Sequence, residues 1–141
     1  MAMTLSTWSF ETASCLHGLG VDCEKVRRFD NLQNEGDHPL PFVFSKKEVL
    51  HNRSLEHPAQ GFCMCFCCKE AVFKAIGEPY NFSECEIFPV LEKEHTFSPI
   101  EISMSTALRN QCGVDRGLCL WDVNNVDEQE MVTVVYLFRE R

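Results

Sequence analysis

A chain of 141 residues with 45% hydrophobic content is sized for one domain with one core, and it carries no polar tract of the length that disorder requires. Its formal net charge of -8, from 21 acidic and 13 basic residues, lacks the basic footprint of a nucleic-acid binder. No apolar run approaches transmembrane length, and Met1–Glu11 has neither the basic nor the apolar part of a signal peptide, so a cytoplasmic protein with no membrane partner is expected.

In chain order, residues 1–14 read as a loose N-terminal segment on a single domain spanning 1–141. Cys15–Asp22 predicts a strand, glycine-rich where a neighbour can approach closely. Charges around Val26 and Phe29 predict a helix from Glu24 to about Leu32, followed by a loop over 34–41 marked by Gly, Asn, Asp and two prolines. Ser45 with Glu48 three residues on forms a capping box, which starts a short helix with Val49 and Leu50 inward. Pro58 fits a first helical turn, and the helix it opens runs to Ile76, where Gly77 caps it and Pro79 blocks continuation. Met64, Cys67, Cys68, Ala71, Val72 and Ala75 form its buried face, while Phe66, Glu70 and Lys74 share a second stripe.

Strand patterns then take over. Cys85–Leu91 is β-like with Pro89 favouring an edge, 92–95 is a turn, and Phe97–Ile102 is a second strand. Ser103–Cys112 suits a short helix ending at Gly113, and Arg116–Val123 and Met131–Phe138 make a final pair joined by a turn over 124–128. The pattern is α+β, a small antiparallel sheet packed with a long central helix. Four of the nine cysteines crowd into Cys63–Cys68. Cys65 and Cys68 have CxxC spacing, but no second pair closes a zinc site, so the cluster reads as a packed helix face.

The chemistry lies in two acidic pieces. Asp22 and Glu24 are two apart and share a face if the strand continues; Glu70 and Lys74 share a helix stripe, with Lys69 beside them. Taken singly each is ordinary surface charge. If strand and helix pack together, three hard carboxylates suit Mg²⁺, and nearby lysines suit a phosphate-bearing substrate. No P-loop, GxGxxG or GxSxG is present, and His17, His38, His51, His57 and His95 stand in no nucleophile motif.

Gly20-Val21-Asp22-Cys23-Glu24 followed by Phe66-Cys67-Cys68-Lys69-Glu70-Ala71-Val72-Phe73-Lys74 resembles the 4′-phosphopantetheinyl transferase superfamily, in its single-domain, holo-acyl-carrier-protein synthase-like branch. The resemblance implies that fold, and transfer of the phosphopantetheine arm of coenzyme A to a serine of an apo acyl or peptidyl carrier protein. By motif match Asp22, Glu24 and Glu70 would hold Mg²⁺. Lys74 would assist catalysis at the leaving phosphate, Lys69 would contact the pyrophosphate, and Glu70 or a metal-bound water would take the serine proton. Arg27 and Arg28 fall where such synthases meet the acidic carrier protein, and a homotrimer is implied.

The chain departs from the family pattern in several places. Gly117–Val123 carries no S-x-S-H element, leaving His17 or Asp122 as replacements for its histidine. Cys65 stands where an arginine is usual, only Gly77 represents a glycine-rich stretch, and Asp30, Glu35 and Asp37 replace basic residues. The alternative implied by these losses is a catalytically impaired relative that binds or assembles carrier proteins in a fatty-acid or polyketide system.

Overall fold

A computed structural model describes residues 14–34, 36, 40–91, 99–124 and 129–140. The segment 1–13, the turn expected over 92–95 and residues 125–128 of the turn expected over 124–128 lie outside the described residues, as do 35 and 37–39 of the loop expected over 34–41. The elements are β1 (Ser14–Lys25), a 3₁₀ helix (Val26–Gln33), α1 (Lys46–Arg53), α2 (Pro58–Ile76), a short 3₁₀ turn (Phe82–Glu84), β2 (Cys85–Glu86), β3 (Ile100–Met104), α3 (Thr106–Cys112), β4 (Arg116–Asn124) and β5 (Glu130–Glu140). The strands form one antiparallel sheet in the order β1-β5-β4-β3-β2, and α2 lies across its inner face. This is the expected α+β architecture.

Local rules explain most of the elements. Ser45 Oγ accepts from the Glu48 N–H while the Glu48 carboxylate accepts from the Ser45 N–H, so α1 opens on a complete capping box. Pro58 sits at the start of α2, and Gly77 ends it at φ 74°, a left-handed conformation that glycine adopts without penalty. The first half of α2 is enclosed nearly all round, with Phe62, Cys63, Met64, Cys65, Cys67 and Cys68 buried, which is why its cysteines behave as small core residues. All nine cysteines are free thiols.

Several expectations need correction. The helix expected from Glu24 begins at Val26, after β1 has run on to Lys25, and it is of the 3₁₀ type. Val26, Phe29 and Leu32 are its buried residues, and their strict spacing of three lines one face only when the helix has three residues per turn. Leu50 is 71% exposed while Val49 is buried, so α1 turns only one of the pair inward. The strand expected over Cys85–Leu91 pairs only at Cys85 and Glu86, because the chain then leaves the sheet toward α1, where His51 Nε2 meets the Pro89 carbonyl at 2.7 Å. α3 starts later than the pattern predicted, at Thr106, because β3 runs from Ile100 to Met104; residues 97 and 98 of the strand expected over Phe97–Ile102 lie outside the described residues.

The contact that positions the site is β1 against α2. A Cβ added at Gly20 would lie 1.9 Å from the Ala71 carbonyl oxygen, and one at Gly18 would lie 2.9 Å from that of Ala75. Both neighbours are helix backbone, which has nowhere to retreat. Gly20→Ala is therefore expected to destabilise the fold by about 1–3 kcal/mol, read from the urea midpoint. An unchanged midpoint would show that strand and helix do not meet so closely.

Candidate functional site

The glycines that admit α2 also fix which side chains face it. Alternation along β1 continues from Gly18 and Gly20 to Asp22 and Glu24, so both acids point to the inner face, with Asp22 beside Cys67 of α2 and the Glu24 carbonyl accepting from the Cys63 thiol at 3.8 Å. Cys23 between them turns outward, and its thiol donates to Glu130 Oε1 at 2.5 Å. Lys74 Nζ donates to Asp22 Oδ1 at 2.8 Å, across 52 residues of chain. Glu24 Oε1 accepts from the Lys25 N–H at 3.0 Å, and its Oε2 accepts from the Arg28 guanidinium. That guanidinium stands 5.7 Å from the Phe66 ring centre and 6.0 Å from that of Phe29.

The charges register one another. Burial raises the Glu70 carboxyl above its ordinary value, and the negative charges of Asp22 and Glu24 add to the rise, with Lys74 opposing it. The hydrogen bond to Asp22 is the main cause that lifts Lys74. Beneath them Cys67 is buried against Cys63 and Asp22, and its thiol is pushed far up, first by the hydrogen bond with Cys63 and then by burial. Three carboxylates are a donor set of hard oxygens, the chemistry that suits a divalent cation of the Mg²⁺ type. Among the described residues no three ligating groups stand in ready-made coordination, and Asp22 and Glu24 are paired with Lys74 and Arg28.

Asp22, Glu24, Glu70, Lys74 and Arg28 are thus brought together, and Arg27 is exposed on the same 3₁₀ helix as Arg28. Lys69 is not with them. It is fully buried on another side of α2, paired with Glu48 at 2.6 Å and bonded to the carbonyls of Val43 and Phe82, so the contact with a coenzyme pyrophosphate expected of it is corrected to an internal ion pair. Neither proposed substitute for the missing histidine reaches the acids. Asp122 pairs with Val132 on the outer face and is exposed, and His17 is exposed in the bulge between Leu16 and Gly18.

Two residues that the sequence pattern did not single out do lie in the row of Asp22. Thr133 pairs with Asp22 on one side and Trp121 on the other, which puts all three on the inner face. Thr133 Oγ1 and Trp121 Nε1 are buried there without a hydrogen-bond partner among the described residues. Strand parity from Asp22 through the register is the only signal that could have found them, and the register is not written in any one segment.

The family model described as the 4′-phosphopantetheinyl transferase superfamily matches residues 18–116, which include Asp22, Glu24, Arg28, Glu70 and Lys74. A holo-[acyl-carrier-protein] synthase from a Geobacter species is 32% identical over 63 residues, 44% of this chain and 50% of that protein. One from Geotalea daltonii is 35% identical over the same shares. The match therefore spans about half the length of these curated relatives. Among solved structures, holo-ACP-synthase from Plasmodium yoelii superposes with a TM-score of 0.62 at 13% identity, covering 91% of this chain and 98% of that one. The Neisseria meningitidis synthase gives 0.61 at 19% identity, covering 86% and 98%. The Helicobacter pylori synthase, solved in complex with coenzyme A, gives 0.60 at 15% identity, covering 84% and 98%. At these identities the structural likeness speaks for the fold.

Proposed function

The chain belongs to the 4′-phosphopantetheinyl transferase superfamily, and from that premise we propose that it transfers the 4′-phosphopantetheine group of coenzyme A to a serine of an apo acyl or peptidyl carrier protein, using Mg²⁺. The observation that carries the reading is the meeting of Asp22, Glu24, Glu70 and Lys74 where β1 packs on α2. Asp22, Glu24 and Glu70 are the residues to hold the ion. Bound Mg²⁺ supplies charge neutralisation at the pyrophosphate of the coenzyme.

The chain's own groups supply the rest. Lys74 keeps its ammonium charged through Asp22 and donates to a phosphate oxygen of the leaving adenosine bisphosphate. Glu70, whose carboxyl burial raises above its ordinary value, is the base for the serine proton. Arg28, and Arg27 beside it, present positive charge to an acidic carrier surface. Lys69 holds the helix rather than the substrate.

The test is the intact mass of apo carrier proteins after incubation with coenzyme A, Mg²⁺ and this protein. Gain of one phosphopantetheine is the expected result. No gain across a panel of acyl and peptidyl carriers would remove the enzyme reading and leave that of a non-catalytic carrier-binding relative, which the absent S-x-S-H histidine favours.

A homotrimer is part of the same proposal. The outer sheet face exposes Leu16 by 56%, Leu19 by 54%, Val21 by 47% and Val132 by 37%, on adjacent strands, and further copies of this chain are its natural cover. Sedimentation is expected to report three copies of the 16.2 kDa chain, and a monomer at micromolar concentration would refute the assembly. No helix among the described residues is long and apolar enough to cross a membrane, and nine free thiols suit a reducing cytoplasm, where the coenzyme and carrier proteins are met.

A further inference from the structure

Arg28 occupies the oxygen that a metal would need. Glu24 is 20% exposed, and its two oxygens are spoken for by the Lys25 N–H and the Arg28 guanidinium. The arginine is 57% exposed and is held from behind by the rings of Phe29 and Phe66, the latter one helical turn before Glu70. Its outward side is open to solvent while its inward side neutralises the acid. Lys74 does the same for Asp22 at 2.8 Å. Two internal cations thus stand on two of the three carboxylates, matching the charge that one divalent ion would bring.

A carboxylate oxygen cannot serve a guanidinium and a Mg²⁺ ion at full strength together, and an arginine bound to Glu24 is not free to pair with a carboxylate of a partner. We propose that Arg28 is a tethered counter-ion that closes Glu24 in the metal-free chain, so that metal binding releases the guanidinium toward an acidic partner and partner binding opens Glu24 to metal. The inference rests on the reading of Glu24 as a metal ligand. By linkage the two effects are equal in size. The carrier-facing arginine and the ion are then two ends of one switch, and the resting site is kept charge-balanced without either ligand.

The experiment titrates Mg²⁺ into the full chain by calorimetry, beside Arg28→Gln and Lys47→Gln. The second variant loses the same charge from an exposed position on α1. Arg28→Gln is expected to bind Mg²⁺ about 5- to 10-fold more tightly than either of the others. In the parent, one arginine Nε–H resonance is expected to shift on Mg²⁺ addition and to be insensitive in Glu24→Gln. Equal Mg²⁺ affinity in all three proteins would overturn the counter-ion role and leave the metal reading standing. Heat-silent titrations with no resonance shift in any of them would overturn the metal reading and this inference with it.

Discussion

Replacing Lys69 by methionine is expected to lower the unfolding free energy by about 3–5 kcal/mol, the cost of stranding a buried charge. Both side chains of the Glu48–Lys69 pair are fully buried. The ammonium donates to Glu48 Oε1 at 2.6 Å, to the Val43 carbonyl at 2.5 Å and to the Phe82 carbonyl at 3.3 Å. Glu48 also accepts from the N–H groups of Ser45 at 2.9 Å and Ile87 at 3.0 Å. The pair thereby ties several segments of chain together, and the Tyr80 hydroxyl adds a further contact by donating to the Lys69 carbonyl at 2.8 Å. Glu48→Gln combined with Lys69→Met is expected to be less destabilised than Lys69→Met alone, since the neutral amide still accepts from the backbone and leaves no charge unpaired. Urea denaturation of the two single variants and the double variant measures this. A loss below about 1 kcal/mol in Lys69→Met would show that water reaches the pair and that it is not a core element.

The same residue shows where a sequence stops being legible. In Lys69-Glu70-Ala71 the lysine looks like part of the charged site, since adjacent charges on a helix are normally read together. Consecutive helical residues point about 100° apart. Lys69 goes inward to a partner 21 residues upstream, and Glu70 goes to the acids on β1. Glu48 was legible as the last residue of a capping box, because that motif is closed within four residues. Its second role depends on the packing of α1 against α2, which no local rule encodes. The glycines of β1, the caps of α2 and the parity of Asp22 and Glu24 were legible for the same reason that the capping box was: each is a short-range geometric demand. The 3₁₀ helix was nearly so, as the spacing of Val26, Phe29 and Leu32 is three throughout and never four. Trp121 and Thr133 reach the row of Asp22 only through strand register, and Arg28 meets Glu24 only because the chain turns from strand to helix between them.

Glu70→Gln is expected to cut transfer by about 100- to 10,000-fold while making the metal-free protein more stable near neutral pH. The opposite signs follow from one cause. Glu70 is raised above the usual 4.5 first by burial and then by the charge of Asp22. The folded state therefore holds the Glu70 proton more tightly than the unfolded state, and stability falls as pH rises through the interval between the unfolded and folded values. Above that interval the folded chain carries the full penalty of an ionised carboxylate among like charges, and the amide removes it. The melting temperature of Glu70→Gln should therefore exceed that of the parent at pH 7, with the gap closing as the pH drops below 4.5. Mg²⁺ should raise the melting temperature of the parent and leave that of the variant nearly unchanged, because only a folded site with its third carboxylate binds the ion well. Full transfer by the variant would remove Glu70 from the chemistry. Lost transfer accompanied by a lower melting temperature at pH 7 would mark Glu70 as a structural residue instead, since a group kept for binding a cation is the one whose charge the apo fold resists.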